Sequence, residues 1–128
     1  MHLEPLKQWF HQNRREFLWR EERTPYRVWI AEVMLQQTRA EVVAEYFLRW
    51  MVRFPNIETL ARAPLESVIK CWEGLGYYSR ARNIHKAAKG LLQSTDKALP
   101  SSREELLLLP GIGSYTAEAI LAFGFQRK

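Results

Sequence analysis

The sequence has very little cysteine, with Cys71 the only one among 128 residues. One cysteine excludes an internal disulfide and any metal site built from several thiolates. The neighbouring Val68, Ile69 and Trp72 follow a helical pattern, so we predict that the Cys71 thiol is a buried core side chain. The three histidines lack metal-ligand spacing, and the sequence gives no support to metal chemistry.

Long apolar runs, repeats and low-complexity stretches are also missing. No stretch is long and apolar enough to cross a membrane. Residues 1–12 do not resemble a signal peptide, because Glu4, Lys7 and Gln8 interrupt them. These absences predict an intracellular protein with no membrane partner, in the cytoplasm or nucleoid if it is bacterial.

The residues that are present fit one packed domain over positions 1–128. The chain is 47% hydrophobic and contains five tryptophans, which is typical of a globular core rather than disorder. Its formal net charge is +5 and its isoelectric point is near 9.6. This basic excess is compatible with nucleic acid, although many soluble proteins carry as much.

The sequence lacks the alternating pattern of β-strands, and each periodic segment predicts a helix, so the fold class is all-α. Thr24 and Pro25 provide a helix N-cap and first residue, and Ser101 with Glu104 forms a capping box. Leu3, Leu6, Trp9 and Phe10 share one face of a first helix, and residues 13–22 form a polar loop. The further helices are predicted at about 25–37, 39–53, 57–63, 64–74, 79–93, 102–109 and 114–125.

A glycine-rich turn occupies residues 109–117, between the last two predicted helices. Pro110 breaks the first of these helices, while Gly111 and Gly113 permit a sharp turn. Amide groups at the head of the next helix point outward and bind phosphate without a charged side chain. The turn therefore predicts contact with a nucleic-acid backbone. Ser114 and Thr116 lie at the start of the same helix and are included among the expected contacts.

Glu32 is the one carboxylate in the strongly apolar segment 29–38. Burial raises a carboxyl pKa and would make this group a proton donor near neutral pH. The other interpretation is a glutamate on the solvent face of the helix. So apolar a segment does not show which face of the helix Glu32 occupies. Periodicity alone therefore favours the solvent face, where charged side chains are usually found.

Two polar patterns can be explained either by contact with nucleic acid or by a purely structural role. Gln36 and Gln37 close the apolar helix and could read base edges or fill a gap left by an extruded base, although an exposed helix end explains them as well. Tyr77 follows a glycine turn and precedes Arg80 and Arg82, which combines a stacking platform with phosphate-neutralising charge. Core packing is the alternative for the tyrosine.

Together these blocks resemble the helix-hairpin-helix superfamily of DNA glycosylases, and within it the MutY-type adenine DNA glycosylases. The match is carried by three blocks: Pro25-Tyr-Arg-Val-Trp-Ile-Ala-Glu-Val-Met-Leu-Gln-Gln-Thr38, Gly74-Leu-Gly-Tyr-Tyr-Ser-Arg-Ala-Arg-Asn83 and Leu109-Pro-Gly-Ile-Gly113. The resemblance implies base-excision repair, in which adenine opposite 8-oxoguanine or guanine is flipped out of double-stranded DNA and removed. Glu32 would protonate adenine N7.

The resemblance also assigns roles to residues around this acid. Gln37 and Tyr77 would insert around the 8-oxoguanine, with Gln36 beside them. Arg15 and Trp19 match the loop that lines the adenine pocket, where Leu18 replaces a common proline. Tyr115 occupies the position of the nucleophilic lysine in lyase-active relatives and would support the transition state; packing explains the Thr116 side chain. DNA-backbone contacts are expected from Gly111, Gly113, Ser114, Thr116, Arg80 and Arg82.

Two family features are not found in this chain. A second carboxylate, which stabilises the oxocarbenium sugar, is expected beyond Lys128, as are the cysteines of a four-iron, four-sulfur (4Fe–4S) cluster; no cofactor is expected within the chain. We therefore predict an N-terminal catalytic segment with little or no activity alone and a tendency to form a non-native dimer. The alternatives are a non-catalytic DNA-binding module and an endonuclease III-like glycosylase/lyase.

Overall fold

The computed structural model describes residues 23–126, and this part of the chain contains seven α-helices and no strand. The predicted all-α class is confirmed. The predicted first helix and the polar loop, with Arg15 and Trp19, lie outside the described residues. The helices are α1 (Pro25–Leu35), α2 (Ala40–Arg53), α3 (Ile57–Arg62), α4 (Leu65–Trp72), α5 (Ser79–Leu92), α6 (Arg103–Leu107) and α7 (Ser114–Ala119).

Helix α1 is the centre of the described structure. It begins as predicted: the Thr24 side chain accepts a hydrogen bond from the Arg27 amide at 3.1 Å, and Pro25 follows the cap. The helix is buried on nearly every side, from Tyr26 to Met34, because helices α2 and α7 pack against it. It ends earlier than predicted, since the next residue, Gln36, is already extended.

An aromatic cluster joins α1, α2 and α4. The Tyr26 hydroxyl donates to the Phe54 carbonyl oxygen at 2.6 Å and accepts from Trp50 Nε1 at 3.1 Å. Trp50 meets Trp72 edge-on, with ring centroids 5.7 Å apart. Burial raises the pKa of the Tyr26 phenol above its ordinary value. These satisfied polar groups fix how the three helices cross.

Cys71 differs from its prediction as a buried core thiol. It is only half-buried, because its position on α4 lies at the edge of the aromatic cluster rather than inside it. This partial burial still raises the pKa of the thiol.

The capping box was predicted one residue too early. Ser102, not Ser101, caps α6, and its hydroxyl accepts from the Glu105 amide at 3.1 Å. Both serines precede glutamates at suitable spacing, so local sequence could not choose between them. The helix also ends two residues earlier than predicted, so α6 is only five residues long.

Helix α7 widens at its end into a π-helical turn, Ile120–Gly124, in which the Phe125 amide donates to the Ile120 carbonyl oxygen at 3.0 Å. This turn packs against α1. A Cβ on Gly124 would lie 2.7 Å from Pro25 Cα, so the close approach requires glycine. Within residues 23–126, no helix has the length and apolar character needed to traverse a bilayer.

Candidate active site and nucleic-acid interface

Glu32 lies in the middle of α1 and is buried, with 2% of its surface exposed. The solvent-face interpretation favoured by periodicity is therefore wrong. The physical reason is that α1 is enclosed on nearly all sides, so a side chain in the middle of this helix is buried whichever way it points. A carboxyl group held in an apolar, water-poor setting is the kind of side chain that serves as a proton donor.

Thr116 is also buried, with 2% exposure, and its hydroxyl accepts a hydrogen bond from Gln36 Nε2 at 3.1 Å. The side chain therefore faces inward toward α1, and the expected contact of Thr116 with a DNA backbone stays a prediction. The bond joins the end of the helix that carries Glu32 to the start of α7. Packing, the simpler explanation of Thr116, accounts for its position.

Gln37 and Tyr77 both have left-handed backbone conformations, with φ of 61° and 49°. Side-chain-bearing residues rarely adopt this region, and such outliers cluster at functional sites. Both side chains are exposed, Tyr77 by 63%. Both side chains are thus presented to solvent from strained turns. Neither residue is a glycine or asparagine, the types that usually adopt this conformation, so the sequence does not predict it.

Arg80 and Arg82, predicted as a pair of phosphate contacts, separate in the structure. Arg82 is exposed on α5. Arg80 is half-buried, and its guanidinium donates to the carbonyl oxygens of Val33, Gln36 and Gly76. Burial lowers the pKa of Arg80. Both Nη atoms of Arg80 donate to backbone carbonyls within the protein, and its expected contact with the DNA backbone stays a prediction.

The turn between α6 and α7 has the form that its glycines predict. Gly111 has φ of +79°, and a Cβ there would lie 2.9 Å from Asn83 Cβ, so the turn packs closely on α5. Gly113 caps α7 with an extended backbone, and its surroundings are open. The Ser114 hydroxyl accepts from Arg103 Nη2 at 2.8 Å. Tyr115 comes next in the chain and is 57% exposed.

Arg103 also forms an ion pair with Glu118, at 2.8 Å between Nε and Oε1. One guanidinium therefore bridges α6 to both the first and the second turn of α7. Sequence reasoning missed this residue, because it lies 11 and 15 positions from its partners. The contacts hold the two short helices of the hairpin at a fixed angle.

One cavity is lined by these residues, and a larger one lies elsewhere. A small one of about 180 Å³ lies where α1, α5 and the hairpin turn meet, and its lining includes Gln36, Arg80 and Gly111. A larger one of about 610 Å³ is lined by the start of α1 together with Met51 and Leu99. The larger cavity contains none of the predicted site residues.

The side chains of this chain do not fit a 4Fe–4S cluster. Such a cluster requires four cysteine ligands, and the sequence has one. Among residues 23–126, no group of three or more histidine, cysteine or acidic side chains is placed to hold a metal ion.

The chain is similar to curated adenine DNA glycosylases. It is 50% identical over 119 residues to that of Buchnera aphidicola subsp. Baizongia pistaciae, covering 92% of this chain and 34% of the relative. It is 40% identical over 129 residues to that of Homo sapiens, covering 94% of this chain and 24% of the relative. The chain thus spans about a third or less of these relatives' length.

Solved structures show the same architecture. A thermostable thymine-DNA glycosylase superposes with a TM-score of 0.81 at 27% identity, covering 96% of this chain and 57% of that one. A non-covalent endonuclease III–DNA complex gives a TM-score of 0.75 at 25% identity, covering 94% and 60%. Residues 30–125 match the HhH-GPD superfamily base excision DNA repair proteins. The chain belongs to that superfamily.

Proposed function

We propose that the protein containing this chain excises adenine mispaired with 8-oxoguanine or guanine in double-stranded DNA. The observation that carries the proposal is the burial of Glu32, the only carboxylate of α1, at the centre of the block shared with the family. The names of relatives that are 40–50% identical support adenine as the base. Glu32 is the proposed catalytic acid.

In this mechanism the adenine nucleotide leaves the base stack and enters the protein. Glu32 donates its proton to adenine N7, which neutralises the negative charge that develops on the base as the bond from C1′ to N9 breaks. The bonding electrons leave with the adenine, and the sugar becomes an oxocarbenium ion. Water adds to C1′ and loses one proton, which returns the Glu32 carboxylate to its acid form, and an abasic site results. Proton donation of this kind typically contributes a factor of about 10²–10⁴.

The exposed residues would insert into the base stack, bind phosphate and stabilise the sugar. Gln37 and Tyr77, on their left-handed turns, would enter the stack beside the lesion. The amides of the hairpin at Gly111, Gly113 and Ser114 would bind phosphate, since they lie at a helix start, and Arg82 would add a charge contact. Tyr115, exposed at the start of α7, would lie near the sugar and favour the developing positive charge.

The test is single-turnover release of adenine from a duplex with one 8-oxoguanine:adenine pair, using the protein that contains this chain. We expect release with the wild type and a loss of about 10²–10⁴-fold in Glu32→Gln, which keeps the size of the side chain but has no acidic proton. A duplex with 8-oxoguanine opposite cytosine is the control substrate. Unchanged release by Glu32→Gln, or none by the wild type, would refute the proposal.

A further inference from the structure

The two strained turns that carry Gln37 and Tyr77 are far apart in sequence, yet both touch one side chain. Arg80 Nη1 donates to Val33 O at 2.8 Å and to Gln36 O, the carbonyl that directly precedes Gln37. Arg80 Nη2 donates to Gly76 O at 3.4 Å, the carbonyl that directly precedes Tyr77. A single guanidinium therefore holds the peptide unit before each exposed side chain.

The same group also supports the Tyr77 ring. The guanidinium carbon lies 5.5 Å from the centre of that ring and 5.3 Å from the centre of the Trp72 ring, distances typical of cation–π contact. Trp72 Nε1 donates to Gly76 O at 3.0 Å. Tyr77 thus lies on a layered support of Arg80 and buried Trp72, which accounts for a fixed position despite its exposure.

Strained backbone persists only where surrounding contacts determine it. At Gln37 the side chain is exposed, so core packing does not determine its backbone conformation. Val33 O also accepts from the Gln36 amide and Gln36 O from the Thr38 hydroxyl, and the planar guanidinium adds a donor to each carbonyl in a fixed direction. The left-handed conformations of both turns are therefore tied to Arg80.

We propose that Arg80 is a positioning residue that fixes Gln37 and Tyr77 relative to one another before DNA is bound. This inference rests on the proposed function, in which these two residues enter the stack at the lesion. Arg80 acts through them and does not contact phosphate. We expect its effect at the mispair, because the proposed function has the two side chains enter the stack there.

Arginine geometry distinguishes this role from a phosphate contact. A lysine keeps the charge but cannot direct donors to carbonyls on two segments while stacking on aromatic rings. A lysine would serve well as a phosphate contact. Arg80→Lys therefore distinguishes a positioning role from a phosphate contact. Arg80→Gln removes both the charge and the directed donors of the guanidinium.

The experiment compares binding to a duplex with one 8-oxoguanine:adenine pair and to the same duplex fully paired, over a range of salt. We expect Arg80→Lys and Arg80→Gln to weaken mispair binding by about 10- to 100-fold, the usual scale for hydrogen bonds to a charged group. Binding to paired DNA and its salt slope should stay unchanged. Arg62→Gln, which removes an equally charged exposed side chain on α3, is the matched control.

Arg82 supplies the contrasting pattern. Arg82→Gln should weaken binding to both duplexes alike and reduce the salt slope by about 0.9, whereas Arg82→Lys should bind nearly as the wild type does. If Arg80→Lys binds the mispair like the wild type, or if Arg80→Gln follows the Arg82→Gln pattern, the positioning role is overturned.

Amide hydrogen exchange without DNA keeps the inference testable if Arg80→Gln does not fold. In Arg80→Lys we expect faster exchange at residues 36–38 and 76–78, with an unchanged rate in the core of α2. Unchanged exchange in both segments would overturn the proposal. This measurement also distinguishes it from the proposed function: a wild type that releases no adenine refutes the excision proposal, while the exchange result still decides whether Arg80 holds the two turns.

Discussion

At the scale of single residues, the proposed role of Tyr115 makes a prediction about what happens after the base has left. Its side chain is 57% exposed at the start of α7, and a phenol cannot condense with a sugar aldehyde as an amine can. We predict that the protein releases adenine without forming a Schiff base and without cleaving the strand. The measurement is borohydride trapping during the reaction, followed by denaturing gel electrophoresis.

Tyr115→Phe completes this test. It should also give no trapped adduct, and its release rate should fall by about tenfold, the usual worth of one hydroxyl interaction. A trapped adduct with either protein would revive the endonuclease III-like glycosylase/lyase. An unchanged release rate would contradict the supporting role of the phenol.

The same scale shows what could be read from sequence. The motif around Glu32 predicts a catalytic acid at this position, but the burial of the side chain depends on α2, α7 and the π-helical turn, which local periodicity does not contain. Arg80 was assigned to phosphate because it stands in a basic segment, and its partners Val33 and Gln36 lie 47 and 44 positions away. Such long-range partners cannot be read from local pattern.

At the scale of elements, the hairpin offers two glycines in different situations. Gly111 has φ of +79° and lies against Asn83, whereas a Cβ on Gly113 would meet nothing within 4 Å. We predict that Gly111→Ala lowers the free energy of unfolding by about 1–3 kcal/mol, because the new methyl group is both strained and crowded. Urea unfolding monitored by circular dichroism measures this.

Gly113→Ala is the matched stability control, since it adds the same methyl group in open space and at an ordinary φ. It should change the free energy of unfolding by less than about 1 kcal/mol. Equal destabilisation by both substitutions would show that the turn does not depend on the Gly111 conformation.

Helix positions were predicted well, and helix ends less well. The apolar spacing and the Thr24 cap were enough to locate α1 and its start. Its end was missed because Gln36 and Gln37 are good helix formers by propensity, and only the contacts of Arg80 and Thr116 with this segment pull it out of the helix. Tertiary contacts outweighed local preference there.

At the scale of the whole molecule, the basic charge should dominate affinity for DNA. The net charge is +5, and each cationic contact with a phosphate releases counterions. We predict that affinity for paired duplex falls by about tenfold or more between roughly 50 and 200 mM salt, as expected for two or more such contacts. Fluorescence anisotropy measures the affinity.

Thermal unfolding at the same salt concentrations is the control for this series, because it separates weaker binding from loss of structure. An affinity that does not change with salt would contradict both the proposed excision on DNA and the simpler binding-module alternative. The expected non-native dimer stays a prediction of the sequence.

The π-helical turn at Ile120–Gly124 sets the direction in which the Phe125 side chain points. Such a turn contains one residue more than an α-helical turn, and each residue of a helix advances the side chains by about 100°. Phe125 is therefore rotated by about that angle relative to a regular continuation of α7. Deleting one residue between Ile120 and Gly124 would restore regular winding and leave the Phe125 side chain on the face it now occupies, because the loss of one residue offsets the extra residue of the turn.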